Sequence, residues 1–299
     1  MAGVLALLPL LAALEATPPP KTPDAARLAK AFNAMRPLGR EALLGPWRLV
    51  TDVAVGELAG LDSVARNLAE AYTARYGLAA APGADQAVVI YSSDARYRAF
   101  AQGDGSSMRG TRGHAGGGLA AFALGRDPLE TRLFLVHELT HLLSRNVLGE
   151  KVPAWLDEGL AEDLAWCRID ADGRLEPDTL DVREEKKAGA ASAPKRSGPR
   201  VTVDAWLDRA RLGRIPPLSA ILAPESRLFT DPGARRDAAT ASAMLVRWCL
   251  AEPARAGRFR EFLRAVSLGG ACDAPALAAA LGTDASGFQR SFFEWLKTL

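Results

Sequence analysis

Apolar residues recur along the chain with two periods, and the switches between them outline its elements. WRLVTDVA, residues 47–54, has the character of a strand; residues 57–76 then carry Leu58, Leu61, Val64, Leu68 and Tyr72 at helical spacing, with Gly77 as the stop. QAVVIYSS, 86–93, predicts a second strand, 94–102 a short helix, and LAAFAL, 119–124, a third strand. Between that helix and the third strand lies GDGSSMRGTRGHAGGG, residues 103–118, with seven glycines in 16 residues. Glycine weakens regular elements, so this stretch is expected to be a flexible loop.

The best-defined helix follows. Asp127 suits its N-cap, Pro128 its first position and Glu130 the capping-box spacing, and it can run to Leu148 with Gly149 as terminator. Pro153 begins a second helix, PAWLDEGLAEDLAW, after a turn short enough to predict an antiparallel hairpin. Residues 169–202 are polar, rich in lysine and arginine and free of apolar periodicity, and read as an exposed loop or disordered insertion. Helical patterns resume from Val203, include 235–250, and end near Ala285–Leu299 with Phe288, Phe292, Trp295 and Leu296 as a core-facing stripe. The expected organisation is an N-terminal lead-in and helix over 17–46, an α/β lobe over 47–168, the polar insertion, and a helical C-terminal lobe over 203–299.

Composition narrows the class. At 299 residues, 48% hydrophobic and 24% charged, the chain can bury a large core, and a formal charge of +2 points to neither a nucleic-acid partner nor an anionic membrane surface. Residues 1–16 resemble a secretory signal peptide: the apolar run Val4–Leu14 is too short to span a bilayer, and three prolines follow at 18–20. Export to a periplasmic or extracellular compartment is therefore expected, with no stable membrane span after cleavage. Cys167, Cys249 and Cys272 have no ligand spacing; buried thiols are the expectation, with Cys249 and Cys272 the pair to test for a disulfide.

Two of the chain's three histidines lie in HELTH, 137–141, within the 127–149 helix. Positions i and i+4 share a helix face, so His137 and His141 can present two imidazole nitrogens to one metal ion, with Glu138 pointing beside it. Zn2+ held this way would activate a water for hydrolysis, with Glu138 as general base; this is the HExxH arrangement of zinc peptidases. Across the hairpin, helical rise carries Glu158 back to the level of the histidines as third ligand, and Gly159 beside it would allow close helix approach. Glu162, one turn on, is placed to accept the spare N–H of a ligating histidine.

HELTHLLSR followed by PAWLDEGLAEDLA resembles the gluzincin clan of metallopeptidases, and within it the bacterial peptidase-MA-like families. The resemblance implies an α+β, thermolysin-like architecture: a mixed sheet with the active-site helix, plus a helical C-terminal lobe. It implies His137, His141 and Glu158 as zinc ligands, Glu138 as catalytic base and Glu162 behind them. It extends more weakly over about 250 residues, to the tail ALGTDASGFQRSFFEWLKTL.

Gluzincins commonly stabilise the oxyanion with a Tyr, His or Arg beyond the third ligand. Here no tyrosine follows Tyr97, no histidine follows His141, and Ala239 stands near where the family segment often has tyrosine. Arg235, Arg236 and His114 are the candidates for the oxyanion or substrate contact. If the fold is as implied, strand 119–124 borders the cleft and could pair with an extended peptide. Two functions follow: an exported zinc metallopeptidase acting on peptides or proteins, or a non-catalytic zinc-containing binding or envelope-assembly protein on the same fold.

Overall fold

The structure, a computed structural model, describes residues 25–83, 86–103, 112–177, 183–185, 195–197, 199–223 and 225–299. The expected signal peptide, the proline-rich lead-in of 17–24, residues 104–111 of the glycine-rich stretch and most of 178–194 lie outside them. The described residues form a mixed α+β fold.

Helix α1 (Ala25–Ala34) leads into an antiparallel pair, β1 (Arg40–Leu44) and β2 (Trp47–Thr51). Then come α2 (Leu61–Tyr76), β3 (Ala87–Tyr91), α3 (Asp94–Gly103), β4 (Gly113–Gly116), β5 (Leu119–Ala123) and α4 (Pro128–Leu148). The five strands are ordered β1-β2-β3-β5-β4: β2, β3 and β5 run parallel, and the two outer strands pair antiparallel to their neighbours.

The sheet is covered on both faces, which explains why β3 and β5 are buried throughout instead of alternating with polar residues. Val88, Ile90, Ala120 and Phe122 join the core formed with α2 and α4; Val89, Tyr91, Leu119, Ala121 and Ala123 join a second core beneath α1 and α3.

Two expectations about glycine are corrected. The glycine-rich stretch is a loop only in part, because Gly113–Gly116 is the edge strand β4. Gly117 and Gly118 have φ of 55° and 75°, the left-handed pair that a two-residue hairpin demands, and they return the chain directly into β5. The helix read from 57 starts at Leu61, since Gly60 sits in the left-handed region at its N-cap and Val55–Leu58 is a separate 3-10 turn. Gly77 ends α2 as expected, its N–H donating to the Thr73 carbonyl at 2.8 Å. Strand β1 falls inside the segment read as lead-in and helix; its apolar residues Ala42, Leu43 and Leu44 are consecutive, two of them exposed, so it shows no strand alternation.

The polar segment after 168 is also more structured than its composition suggests. β6 (Arg168–Ile169) and β7 (Leu175–Glu176) form a small hairpin, closed by Asp170, whose Oδ1 accepts from the N–H groups of Asp172 and Arg174 at 2.9 and 2.8 Å. A second pair, β8 (Arg183–Glu185) and β9 (Lys195–Ser197), follows, and α6 (Pro199–Arg211) begins before Val203.

Helix α5 (Ala154–Ala165) comes back along α4, as the hairpin reading requires. Its other side packs on α8 (Arg235–Leu250), and there Gly159 matters: a Cβ on it would stand 3.0 Å from the Ser242 carbonyl oxygen. The glycine therefore admits α8, not α4, correcting the sequence reading. Helices α7 (Leu218–Ile221), α9 (Pro253–Ser267), α10 (Ala274–Ala280) and α11 (Ala285–Leu296) complete the C-terminal half, with Phe288, Phe292 and Leu296 buried and Trp295 partly so. All three cysteines are free thiols, so Cys249 and Cys272 are not bridged. No helix among the described residues is long and apolar enough to cross a membrane.

Candidate metal centre

Helix α4 starts on its expected cap: Asp127 Oδ1 accepts from the Glu130 N–H at 2.7 Å. The return bond of a capping box is shifted by one residue, with Glu130 accepting from the Arg126 N–H. Capped and backed by β4 and β5, α4 directs His137 and His141 toward α5 while Glu138 faces the sheet.

The two imidazoles meet edge to face, their ring centres 4.7 Å apart and their Nε2 atoms at 3.1 Å. Glu158 Oε2 lies 3.6 Å from His137 Nε2, and one donor atom from each of the three residues falls within 4.8 Å of the others. Metal–nitrogen and metal–oxygen bonds of about 2.0–2.2 Å in a tetrahedral site place neighbouring donors about 3.3 Å apart. The observed 3.1 and 3.6 Å bracket that spacing on two sides of the triangle and all three donors lie within 4.8 Å, so the set could hold a divalent transition metal.

Behind the donors stand charged groups. Asp157 Oδ1 lies 3.0 Å from His141 Nδ1, the ring nitrogen turned away from His137. Arg145 Nη2 donates to the other Asp157 oxygen at 2.7 Å. Glu162 Oε1 is 3.9 Å from His137 Nδ1, on the expected histidine but beyond hydrogen-bonding distance. Arg235 Nη2 is 3.6 Å from Glu158 Oε1, the carboxylate oxygen not turned to His137.

Charge follows this layout. Burial alone would lower the His141 pKa, but the Asp157 carboxylate against its ring raises it to about 9. Burial works against Asp157 as a carboxylate, yet His141 and Arg145 bring it down to about 2. Glu138 is 5% exposed; burial pushes its carboxyl above the usual range, and the neighbouring histidines only partly offset this. Its Oε2 is buried without a hydrogen-bond partner, an expensive arrangement unless something is to be bound there.

The three candidates for a contact on the substrate side separate clearly. Arg235 stands beside the donor set, whereas Arg236 is exposed on the next position of α8. His114 is corrected: in β4 it pairs with Ala121, so strand alternation sends its ring to the face opposite α4. There it stacks on Phe100 at 5.8 Å, with Nδ1 3.1 Å from the Tyr97 hydroxyl. Strand 119–124 is corrected too, because β5 is flanked by β3 and β4 and has no free side; the edge is β4.

Asp157, Arg145 and Gly113 were missed. Arg145 follows His141 by four residues and Asp157 precedes Glu158, so both sit next to recognised positions, but neither carries a motif. Gly113 was read as loop.

The chain matches no protein-family model and no curated protein. The donor geometry therefore carries the functional reading.

Proposed function

We propose that the protein is an exported zinc-dependent metallopeptidase of thermolysin-like architecture, with His137, His141 and Glu158 holding the ion and Glu138 as general base. The observation that carries this is the convergence of three donor atoms from α4 and α5 beside a buried carboxylate with an unpartnered oxygen. Two imidazoles and one carboxylate are the protein donors of a class of catalytic zinc sites, whose fourth position is left to water. Zinc, when bound, would supply Lewis acidity, polarising a peptide carbonyl and acidifying nearby water.

The chain's own residues supply the rest. Glu138 Oε2 is available to take a proton from the attacking water and return it to the leaving amine nitrogen. β4 is the outer strand among the described residues and could pair with an extended peptide at Gly113, although its Ala115 carbonyl already accepts from Arg145. Arg235 is the contact for the developing negative charge on the substrate, being the candidate that stands beside Glu158. Export rests on the N-terminal sequence pattern.

The same site would suit a protein that holds zinc without cleaving peptides. What favours that reading is the position of Arg235 against a carboxylate, together with alanine at 239 in the buried part of α8. Zinc analysis of purified wild type and His137→Ala tests the shared part: stoichiometric zinc in the first and not the second is expected. A wild type without zinc would overturn both readings. Digestion of a mixed peptide library by wild type and Glu138→Gln divides them. Cleavage lost in the variant supports the peptidase; zinc retained with no cleavage by wild type supports the binding protein.

A further inference from the structure

Arg145 lies on α4 one turn after His141, four-fifths buried, with its guanidinium held at both ends. Nη2 donates to Asp157 Oδ2 at 2.7 Å, and Nη1 donates to the Ala115 carbonyl in β4. Asp157 in turn places its other oxygen 3.0 Å from His141 Nδ1. One arginine thus ties the edge strand to the carboxylate that orients a donor histidine.

A carboxylate can rotate about its terminal torsion and offer either oxygen, or neither, to an imidazole. With one oxygen taken by a guanidinium that is itself anchored to backbone, Asp157 is left with a single orientation toward His141. The imidazole must then keep Nδ1 toward Asp157 and Nε2 toward His137 and Glu158. A lysine at 145 would keep the charge but, with a single nitrogen, could not span both partners in the same way.

We propose that Arg145 is a positioning residue for metal binding: acting through Asp157, whose carboxylate stands 3.0 Å from His141 Nδ1, it fixes the orientation of the His141 ring and so sets the affinity of the centre for zinc. This rests on the metal-holding role proposed for His141.

Zinc affinity is measured by chelator competition on the full chain for wild type, Arg145→Met, Arg145→Lys, Asp157→Asn and the double variant Arg145→Met/Asp157→Asn. Melting of each metal-free protein is followed alongside. Arg145→Met is expected to weaken zinc binding about 10- to 100-fold, the usual loss when an outer partner of a ligand is removed. Arg145→Lys should recover part of it. Because the arginine acts through the aspartate, the double variant should bind no more weakly than Asp157→Asn alone. Wild-type affinity in a folded Arg145→Met would overturn the proposal, as would losses that simply add in the double variant. If Arg145→Met does not fold, a folded Arg145→Lys that binds zinc like wild type, even with a lower melting temperature, would overturn it as well. A wild type that binds no zinc would instead remove the metal centre itself.

Discussion

Gly113 lies against the carboxylate of Glu138: a Cβ added to the glycine would stand 2.3 Å from Oε1 and 2.9 Å from the carboxyl carbon. The edge strand thus forms one wall of the slot that holds the proposed base, and only a residue without a side chain fits there. Gly113→Ala should shift Glu138 and lower peptide cleavage by about 10²-fold or more, the usual worth of a placed general base. Zinc affinity, set by the His137, His141 and Glu158 donors and not by Glu138, should stay within about threefold, well short of the loss expected from removing a ligand's outer partner. Parallel cleavage assays and zinc titrations check this. Equal losses in both would show that the substitution had disrupted α4 as a whole.

Arg235 and Arg236 are neighbours in sequence with opposite surroundings, one 3.6 Å from Glu158 and the other exposed. Arg235→Ala should reduce kcat for peptide cleavage by about 10²-fold, as for loss of an oxyanion donor. Arg236→Ala should leave it unchanged. Steady-state kinetics on a cleaved library peptide separates the two, and a change confined to KM for Arg235→Ala would assign that residue to ground-state binding.

Below the candidate metal centre, α5 is tied to α2 and α8 by a buried ion cluster. Asp163, fully buried, accepts from Arg75 at 2.5 and 2.8 Å and from the Tyr76 hydroxyl at 2.8 Å, and Arg247 Nε lies 3.0 Å away. Removing the carboxylate strands two buried guanidinium groups. Asp163→Ala should therefore cost about 3–5 kcal/mol in urea unfolding, the typical loss on breaking a buried pair.

The same carboxylate gives stability a dependence on pH. Burial opposes its charge, but Arg75 and Arg247 win, and its folded-state pKa lies below the ordinary value. A depressed acid stabilises the fold above its unfolded pKa of about 3.9 and ceases to do so as pH falls through the folded value. The stability gap between wild type and Asp163→Asn should be constant from about pH 7 to 5 and narrow below about pH 4. Urea titrations across that range test it; a gap that widened in acid would refute the assignment.

Gly159 permits backbone contact between α5 and α8, where a Cβ would meet the Ser242 carbonyl oxygen at 3.0 Å and Val246 Cγ2 at 3.1 Å. Gly159→Ala should destabilise the protein by about 1–3 kcal/mol through overpacking. It should also weaken zinc binding, because the displaced helix carries Glu158. Thermal melts with and without zinc measure both effects.

How much of this was legible in the sequence depended on the range of the interaction. His137 and His141 meet because of helix periodicity, which is local, and Glu158 joins them because two helical rises cancel across a short turn. Asp157 was not legible: which flank of α5 faces α4 is decided by Gly159 seating on α8, more than 80 residues downstream. His114 was misplaced because glycines that look disordering in composition are turn-forming in position, and the strand they create has two faces. The hairpin at 168–176 was hidden for a similar reason. Its polar residues make a turn, while Gly173 fits against Ser63 and Val64 of α2, where any side chain would collide with backbone.

The proposed ligands divide between two supports: α4 is laid on the sheet, and α5 is seated on α8 in the helical half. A bound ion would therefore act as a rivet through two plates. It would reinforce a seam that the Arg145–Asp157 bond already crosses, and zinc would be felt as stiffness there before it was felt as catalysis.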